Sequence, residues 1–238
     1  MIARLSTRLS PTRLLPARLS GNAKGVAYIE FAFSLPAFMG LSMYGIEVGN
    51  YAQMQMRVSQ IALSLADNAS RAGSSNRQTN LQELREVDLS DVLEGVRIQG
   101  GSLRLLQNGR VTLSSVETNA SGGQTIKWQR CLGLRQGTGW DSSYGRAGDG
   151  ATGNAFAGMG PTGSRVTAPP GSAVMFVEIN YQYQPLLGAW LIGRPRIHYI
   201  ASFVVRDRRD LSLNSGTGII DPAPSIGNAR LTCDKYTV

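Results

Sequence analysis

An apolar run near the N-terminus restricts how this chain can fold more than any other feature. Residues Val26 to Ile46 read VAYIEFAFSLPAFMGLSMYGI, 21 residues with a single charged side chain, Glu30. A helix needs about 20 predominantly apolar residues to cross a bilayer. We therefore predict a transmembrane helix over this run.

The charges before the run predict its orientation. Residues 1-25 hold five positive side chains and no acidic one, namely Arg4, Arg8, Arg13, Arg18 and Lys24. Because positive residues stay on the cytoplasmic side, we predict a basic cytoplasmic leader over 1-25 and an extracytoplasmic position for the chain after the span. The leader supplies five of the net +8 charges. The rest lacks a helix studded with Lys and Arg, so no nucleic-acid partner is expected.

Two other N-terminal signals share some of these features. A cleaved secretory signal has an apolar region of about 7 to 15 residues and a small-residue cleavage site, whereas this run is longer and lacks an A-x-A sequence. A mitochondrial transit peptide is also rich in Arg and Ser and poor in acids, but it does not usually run directly into a full membrane span. Both alternatives stay open on sequence alone.

The helix is predicted to continue beyond the membrane, to residue 72. Apolar residues recur there at intervals of three and four, the spacing of one helix face: Tyr51, Met54, Val58, Ile61, Leu65 and Ala69. Gly73, Ser74 and Ser75 then predict its end. The stripe either seats the helix on its own globular domain or faces a partner, and the first interpretation is the simpler one.

Glu30 is the exceptional residue of the span, since a carboxylate in an apolar membrane helix is costly and needs a partner or a role. It stands five positions after Gly25, in the string G25-V26-A27-Y28-I29-E30-F31. A basic leader, a glycine, four residues, Glu, an aromatic residue and an apolar helix together resemble the processing site of type IV prepilins. The pair Glu30-Phe31 resembles the version used by Flp-type, or Tad, pili.

Within that group the segment G25VAYIEFAFSLPAF38 is similar to TadE-like pseudopilins of bacteria. The runs V177EINYQYQPLL187 and A201SFVVRDR208 resemble their paired C-terminal strands. TadE, TadF and TadG proteins share the N-terminal pattern. The sequence therefore indicates this group more strongly than it indicates TadE in particular. General secretion pseudopilins commonly have Phe at the position of Val26. The general secretion system is therefore the second choice within the pilin class.

The resemblance implies a function. A membrane prepilin peptidase would cut between Gly25 and Val26, and Glu30 would become residue five of the mature chain. Its partners would be the cytoplasmic membrane, that peptidase and the other Tad pilus subunits and platform proteins. The chain would be a structural or assembly subunit. The alternative is a permanently tethered extracytoplasmic binding domain whose leader is never removed.

Physical chemistry gives Glu30 a role independently of the family. The amine released at Val26 has an ordinary pKa of about 8 and is mostly protonated at neutral pH. It can neutralise Glu30 of the same chain or of a neighbour in a filament. A simpler interpretation is that Glu30 is a capping carboxylate near the helix N-terminus, where the helix dipole favours a negative charge.

Residues 73-238 are predicted to form an extracytoplasmic α+β domain. In V177-E-I-N-Y-Q-Y183, Val177, Ile179, Tyr181 and Tyr183 share one face, which indicates a half-buried strand. Similar runs predict an antiparallel sheet, and a short helix is expected before them. The predicted ranges are strands at 110–117, 125–131, 177–183 and 199–206 and a helix at 81–93.

Cys131 and Cys233 are the only cysteines. Both fall on the side predicted to be oxidising, so we expect a disulfide between them. With one histidine, His198, and no C-x-x-C pair, no metal site is expected.

Residues 135-171 hold ten of the 28 glycines and predict a long surface loop. Within it, G148-D-G-A-T-G153 matches a dinucleotide-binding sequence by letter but lacks the required strand and helix around it. The string D141-S-S-Y-G145 begins like a metal site of von Willebrand A domains, but glycine replaces the third ligand. His198 has no nucleophile or carboxylate pair beside it in the sequence, so we expect no catalytic residue, cofactor or small-molecule substrate.

Overall fold

The computed structural model describes residues 25–220 and 230–238. The predicted leader, apart from Gly25, lies outside the described residues. The chain divides into two compact units, the first ending at Ile46 and the second comprising Glu47–Val238. The fold is α+β, as predicted, with a long apolar N-terminal helix and a small antiparallel sheet.

The first helix, α1, spans Val26–Arg71. The last carbonyl groups of a helix have no N–H donor within the helix, and here the buried guanidinium of Arg209 supplies one. Arg209 Nη2 donates to the carbonyl oxygens of Ala69 at 3.1 Å and Ala72 at 2.6 Å. Gly73 follows with a φ of +126°, which residues other than glycine rarely adopt, and the chain turns away from the helix here.

A short hairpin and a second helix follow α1. The structure has strands β1 (Ser74–Ser75) and β2 (Gln82–Glu83), then helix α2 (Glu86–Gly100). The helix predicted at 81–93 was therefore placed five residues too early, because Leu81 and Leu84 belong to an extended segment. Asp88 determines the start of α2, since its carboxylate accepts the N–H of Arg85 at 2.9 Å.

A four-stranded antiparallel sheet forms the centre of the second unit, with strand order β4-β3-β5-β6. A 3₁₀ turn (Gly101–Leu103) and α3 (Leu105–Asn108) lead into it. The strands are β3 (Gly109–Thr118), β4 (Gln124–Leu132), β5 (Ala173–Gln182) and β6 (Arg196–Val204), with α4 (Ala189–Ile192) between the last two and α5 (Leu213–Gly216) after them. All four predicted strands are present, and their ends differ from the predicted ends by one to four residues.

One face of the sheet packs against helices. The part of α1 from Glu47 onward contributes the predicted stripe, with Val58, Ile61, Leu65 and Ala69 buried and Tyr51 and Met54 partly buried. Leu89, Leu93 and Val96 of α2 join the same core. The stripe therefore seats this part of the helix on its own domain, which was the simpler of the two interpretations.

The other face of the sheet is covered by the glycine-rich loop. Met159 and Ala168 of the loop are buried against Val116, Val174 and Phe176 of the sheet. The predicted surface loop is thus a second layer of the domain. For the same reason β5 is buried on both faces, and its predicted half-buried character is wrong.

A buried ion pair attaches α2 to the sheet edge. Arg130 of β4 donates from Nε and Nη2 to the two carboxylate oxygens of Glu86 at 2.5 and 2.6 Å. Both side chains are almost fully buried. Removing one partner of such a pair leaves an uncompensated charge, which typically costs about 3 to 5 kcal/mol. The pair thus fixes the N-terminus of α2 against β4.

Candidate functional site

The first unit contributes a helix whose apolar surface is exposed within the described part of the chain. None of the most apolar 18-residue window of α1 is buried, and Tyr28 and Phe33 are 78% and 79% exposed. Apart from Met43, which is partly buried, every residue of Val26–Ile46 is exposed. Among the described residues, α1 is the one helix long and apolar enough to cross a membrane.

The predicted processing residues lie just before this helix and within its first two turns. Gly25 precedes α1, which begins at Val26, and a side chain built at Gly25 would meet nothing within 4 Å. Phe31 is 61% exposed. The bond between Gly25 and Val26 therefore coincides with the start of the long helix.

Glu30 is exposed, and within residues 25–220 and 230–238 its carboxylate has no hydrogen-bond or ion-pair partner. It is the fifth residue of α1, beyond the first turn, which contains no acidic residue. The unpaired N–H groups of a helix belong to its first four residues. Glu30 is therefore not positioned as a helix cap.

A second carboxylate in the same helix, Glu47, has the opposite environment. It is fully buried at the start of the second unit. Its Oε1 accepts the hydroxyl of Tyr183 at 2.6 Å and the N–H of Leu186 at 3.2 Å, and its Oε2 accepts the N–H of Leu187 at 2.8 Å. Burial, reinforced by the hydrogen bond to Glu47, raises the pKa of Tyr183 to about 12. The phenol thus stays a donor over the physiological pH range.

The disulfide Cys131–Cys233 is present and joins β4 to the C-terminal segment, with the two Cα atoms 4.8 Å apart. The bond closes a loop of 102 residues. In the chain-entropy model such a loop is worth about 4 to 5 kcal/mol of folding free energy. The C-terminal segment is therefore an integral part of the domain.

Arg110 of β3 holds the same segment. Its Nη1 donates to the carbonyl of Lys235 at 2.8 Å, and its Nη2 donates to that of Cys233 at 2.7 Å. The guanidinium also lies 4.2 Å from the centroid of the Tyr236 ring and 3.4 Å from Asp141 Oδ1. Asp141, the first residue of the string that resembles a metal site, thus serves as the counter-ion of a buried arginine.

A cleft of about 520 Å³ lies beside the disulfide. Its charged lining comprises Lys127, Arg130, Arg146, Asp141 and Asp234. Arg130 is paired with Glu86, and Asp141 with Arg110, so much of this charge is compensated within the protein. The cleft is accordingly a polar groove without a concentrated charge of either sign.

The described residues contain no group of three or more His, Cys, Asp and Glu side chains that could hold a metal ion. His198 lies on β6, with its Nε2 3.6 Å from Oε1 of the buried Glu178. Glu178 in turn accepts the N–H of Ser143 from the glycine-rich loop at 3.1 Å. These groups join the loop to the sheet, and the sequence G148 to G153 lies in that loop without a strand before it or a helix after it.

The roles of Glu47, Tyr183 and Arg110 were not predicted from the sequence. The signal for Glu47 was its position directly after Ile46, where the apolar run ends. Its partners lie more than 130 residues away, and no pattern in one sequence pairs them. Arg110 looked like an ordinary residue at a strand end.

Comparisons with known proteins give no match to this chain among family models, curated proteins or solved structures.

Proposed function

We propose that this chain is a pseudopilin-like structural or assembly subunit of a Flp/Tad-type pilus system. In this proposal a prepilin peptidase cuts between Gly25 and Val26, and the mature chain begins with α1. Residues Val26–Ile46 lie in the cytoplasmic membrane of a bacterium before assembly. The domain from Glu47 onward lies outside the cytoplasm.

One observation carries the proposal: an apolar helix begins at Val26, and its fifth residue is a glutamate that has no partner among the described residues. A carboxylate in a hydrophobic environment costs several kcal/mol unless it is compensated. Glu47 shows how this fold compensates a carboxylate when it does so internally. Glu30 lacks such partners and is available to another group.

The amine formed at Val26 by cleavage supplies the missing charge. An α-amino group with an ordinary pKa of about 8 is mostly protonated at neutral pH. In a filament, the amine of one subunit can pair with Glu30 of its neighbour, so that each subunit is held at a fixed axial step. The exposed apolar surface of the helix suits both environments, lipid before assembly and neighbouring helices after it.

The orientation follows from the charges and the cysteines. Five positive residues precede the helix with no acidic residue among them, which favours a cytoplasmic N-terminus. The disulfide Cys131–Cys233 favours an oxidising compartment for the domain. The cytoplasmic membrane, the prepilin peptidase and the other pilus subunits and platform proteins are accordingly its proposed partners.

The alternative is a tethered extracytoplasmic binding domain whose leader is retained, and the cleft of about 520 Å³ beside the disulfide favours it. Such a groove can receive a peptide or a small polar molecule. The bond after Gly25 distinguishes the two functions, because only the assembly subunit requires a free amine at Val26.

The substitution Glu30→Gln tests the pairing, since it keeps size and polarity but removes the charge. In the native host, we expect pilus yield and co-purification with the other pilus subunits to fall sharply, while export, the disulfide and the melting temperature stay nearly unchanged. Ser34→Ala is the matched control, because it removes a polar group one turn along the same helix and should assemble normally. Normal assembly of the Glu30→Gln protein would refute the pairing.

A further inference from the structure

The connection between β5 and β6 exposes an apolar surface. The docking loop, defined here as Pro185–Gly193, includes Leu186 and Trp190, which are 66% and 69% exposed. Helix α4, within the loop, has no buried residue. The indole Nε1 of Trp190 donates to the carbonyl of Leu187 at 3.2 Å, so the polar atom is satisfied locally and the ring is presented outward.

Hydrogen bonds to Glu47 hold the backbone of this loop. Its carboxylate accepts the N–H groups of Leu186 and Leu187 at 3.2 and 2.8 Å. Glu47 directly follows Ile46, the last residue of the apolar run. The loop backbone is therefore one hydrogen bond from the point where the chain leaves its apolar segment.

Further contacts of Tyr183 connect the residues beside the loop to α1. Tyr183, the residue after β5, donates to Glu47 and accepts the side-chain amide of Asn50 at 2.6 Å. The Tyr183 ring also packs edge-on against Tyr51, with centroids 5.0 Å apart. The loop is thus held against the part of α1 that begins at Glu47.

The composition of the loop suits the surface of a bilayer. Tryptophan is enriched where hydrocarbon meets headgroups, and leucines beside it add buried apolar area. Arg194 follows the loop directly and is exposed, so its guanidinium can reach lipid phosphates. The residue that holds the loop, Glu47, directly follows the apolar run in the sequence, so only a short stretch of chain separates the loop from the predicted span.

We propose that the docking loop inserts Leu186 and Trp190 into the interfacial layer of a phospholipid bilayer containing anionic lipid, on the side where α1 emerges. The inference rests on the membrane span of the proposed function. It assigns the domain a second contact with the membrane, which restricts how the domain can turn about its tether. A protein partner on the same loop is the competing outcome.

The test uses three cysteine variants of the full chain, each carrying a nitroxide label. The native cysteines form a disulfide and leave no free cysteine among the described residues, so only the introduced cysteine reacts. Ala189→Cys labels the docking loop without removing its apolar side chains. Phe38→Cys labels the span, and Ile98→Cys labels an exposed apolar position on α2 that is 74% exposed.

The labelled proteins are reconstituted into vesicles of phosphatidylcholine and phosphatidylglycerol. Collisions of each label with oxygen, which concentrates in lipid, and with a water-soluble nickel chelate are then compared. We expect the labels at 38 and 189 to favour oxygen and the label at 98 to favour the chelate. Adding Leu186→Ser and Trp190→Ser to the Ala189→Cys protein should return its label to water, and omitting phosphatidylglycerol should weaken its lipid contact.

Each other outcome overturns a defined part of the inference. A water-exposed label at 189 with a lipid-exposed label at 38 refutes the docking loop and leaves the span intact. A label at 189 protected from both reagents indicates a protein partner and also refutes lipid docking. Equal lipid contact at 98 and 189 shows that the docking loop contacts lipid no more than another exposed apolar position does. Water exposure at 38 refutes the membrane span together with the docking loop.

Discussion

Helix α1 contains two glutamates in opposite environments, and the contrast separates the two units of the chain. Glu30 belongs to the exposed apolar unit and has no partner in the described part of the chain. Glu47 belongs to the folded unit and accepts three hydrogen bonds from one tyrosine and two backbone groups. The proposed function expects this difference, because a carboxylate that pairs with a neighbouring subunit has no partner within its own chain.

The same contrast holds for the apolar residues of α1. Leu41, in the first unit, is 67% exposed, whereas Leu65, in the second, is 2% exposed within the core. Truncating a buried leucine removes its transfer free energy and leaves a cavity. Truncating an exposed one does neither. The two leucines therefore provide a matched pair on one helix.

The largest expected effect is that of Leu65→Ala. We expect it to lower the free energy of unfolding by about 3 kcal/mol, within the range for buried leucines. In a unit of this size that corresponds to roughly 6 to 12 °C in melting temperature. Thermal unfolding of the full chain in detergent micelles measures it, with Leu41→Ala as the control that should not shift. Equal shifts for both variants would break the division of α1 at Glu47.

A smaller effect is expected for Glu47→Ala. The substitution leaves the Tyr183 hydroxyl and two backbone N–H groups without their acceptor, at an expected cost of about 2 kcal/mol. Glu47→Gln retains an acceptor oxygen and should lose less. The same melting experiment applies to both. An unchanged melting temperature in Glu47→Ala would show that these hydrogen bonds do not support the fold, and the contrast with Glu30 would lose its basis.

The smallest effect concerns pH. Burial lowers the pKa of His198, Glu178 opposes that shift and Arg196 adds to it. The folded domain therefore binds a proton less readily than the unfolded chain, whose imidazole has an ordinary pKa of about 6.5. Stability should fall as the pH drops below that value, until the lower folded-state pKa is reached.

Melting temperatures between about pH 7.5 and about pH 5.5 bracket this titration. The wild-type domain should lose more stability across the interval than the His198→Gln variant, in which the group is absent. Other titrating groups contribute equally to both proteins and cancel in the difference. Parallel curves for the two proteins would mean that His198 carries no such penalty.

The sequence predicted the features that repeat locally. Apolar length identified the exposed helix, a spacing of three and four identified its buried stripe, and alternation located the four strands. The two cysteines left a single possible pairing within the chain. Each of these signals is read within one segment, or follows from counting a rare residue.

What the sequence did not predict depends on contacts between distant segments. Glu178 and Asn180 look solvent-facing in an alternating strand, yet both are buried under the glycine-rich loop. That loop supplies a hydrogen-bond partner to each of them: the N–H of Ser143 donates to the Glu178 carboxylate, and the carbonyl of Trp140 accepts the side-chain N–H of Asn180. Alternation reports polarity, and a polar face can meet backbone groups instead of water. The helix at α2 was misplaced for a related reason, since the extended Leu84 is fixed by a bridge to Ile219.

The bond between Gly25 and Val26 tests the proposed function most directly. Intact mass and N-terminal sequencing of protein purified from the membranes of a host with an active prepilin peptidase should give a mature chain beginning at Val26. Gly25→Leu should retain the leader, and its domain should fold normally, because a side chain at Gly25 meets nothing within 4 Å. A wild-type protein that retains Met1, or that begins beyond residue 46, would contradict the account.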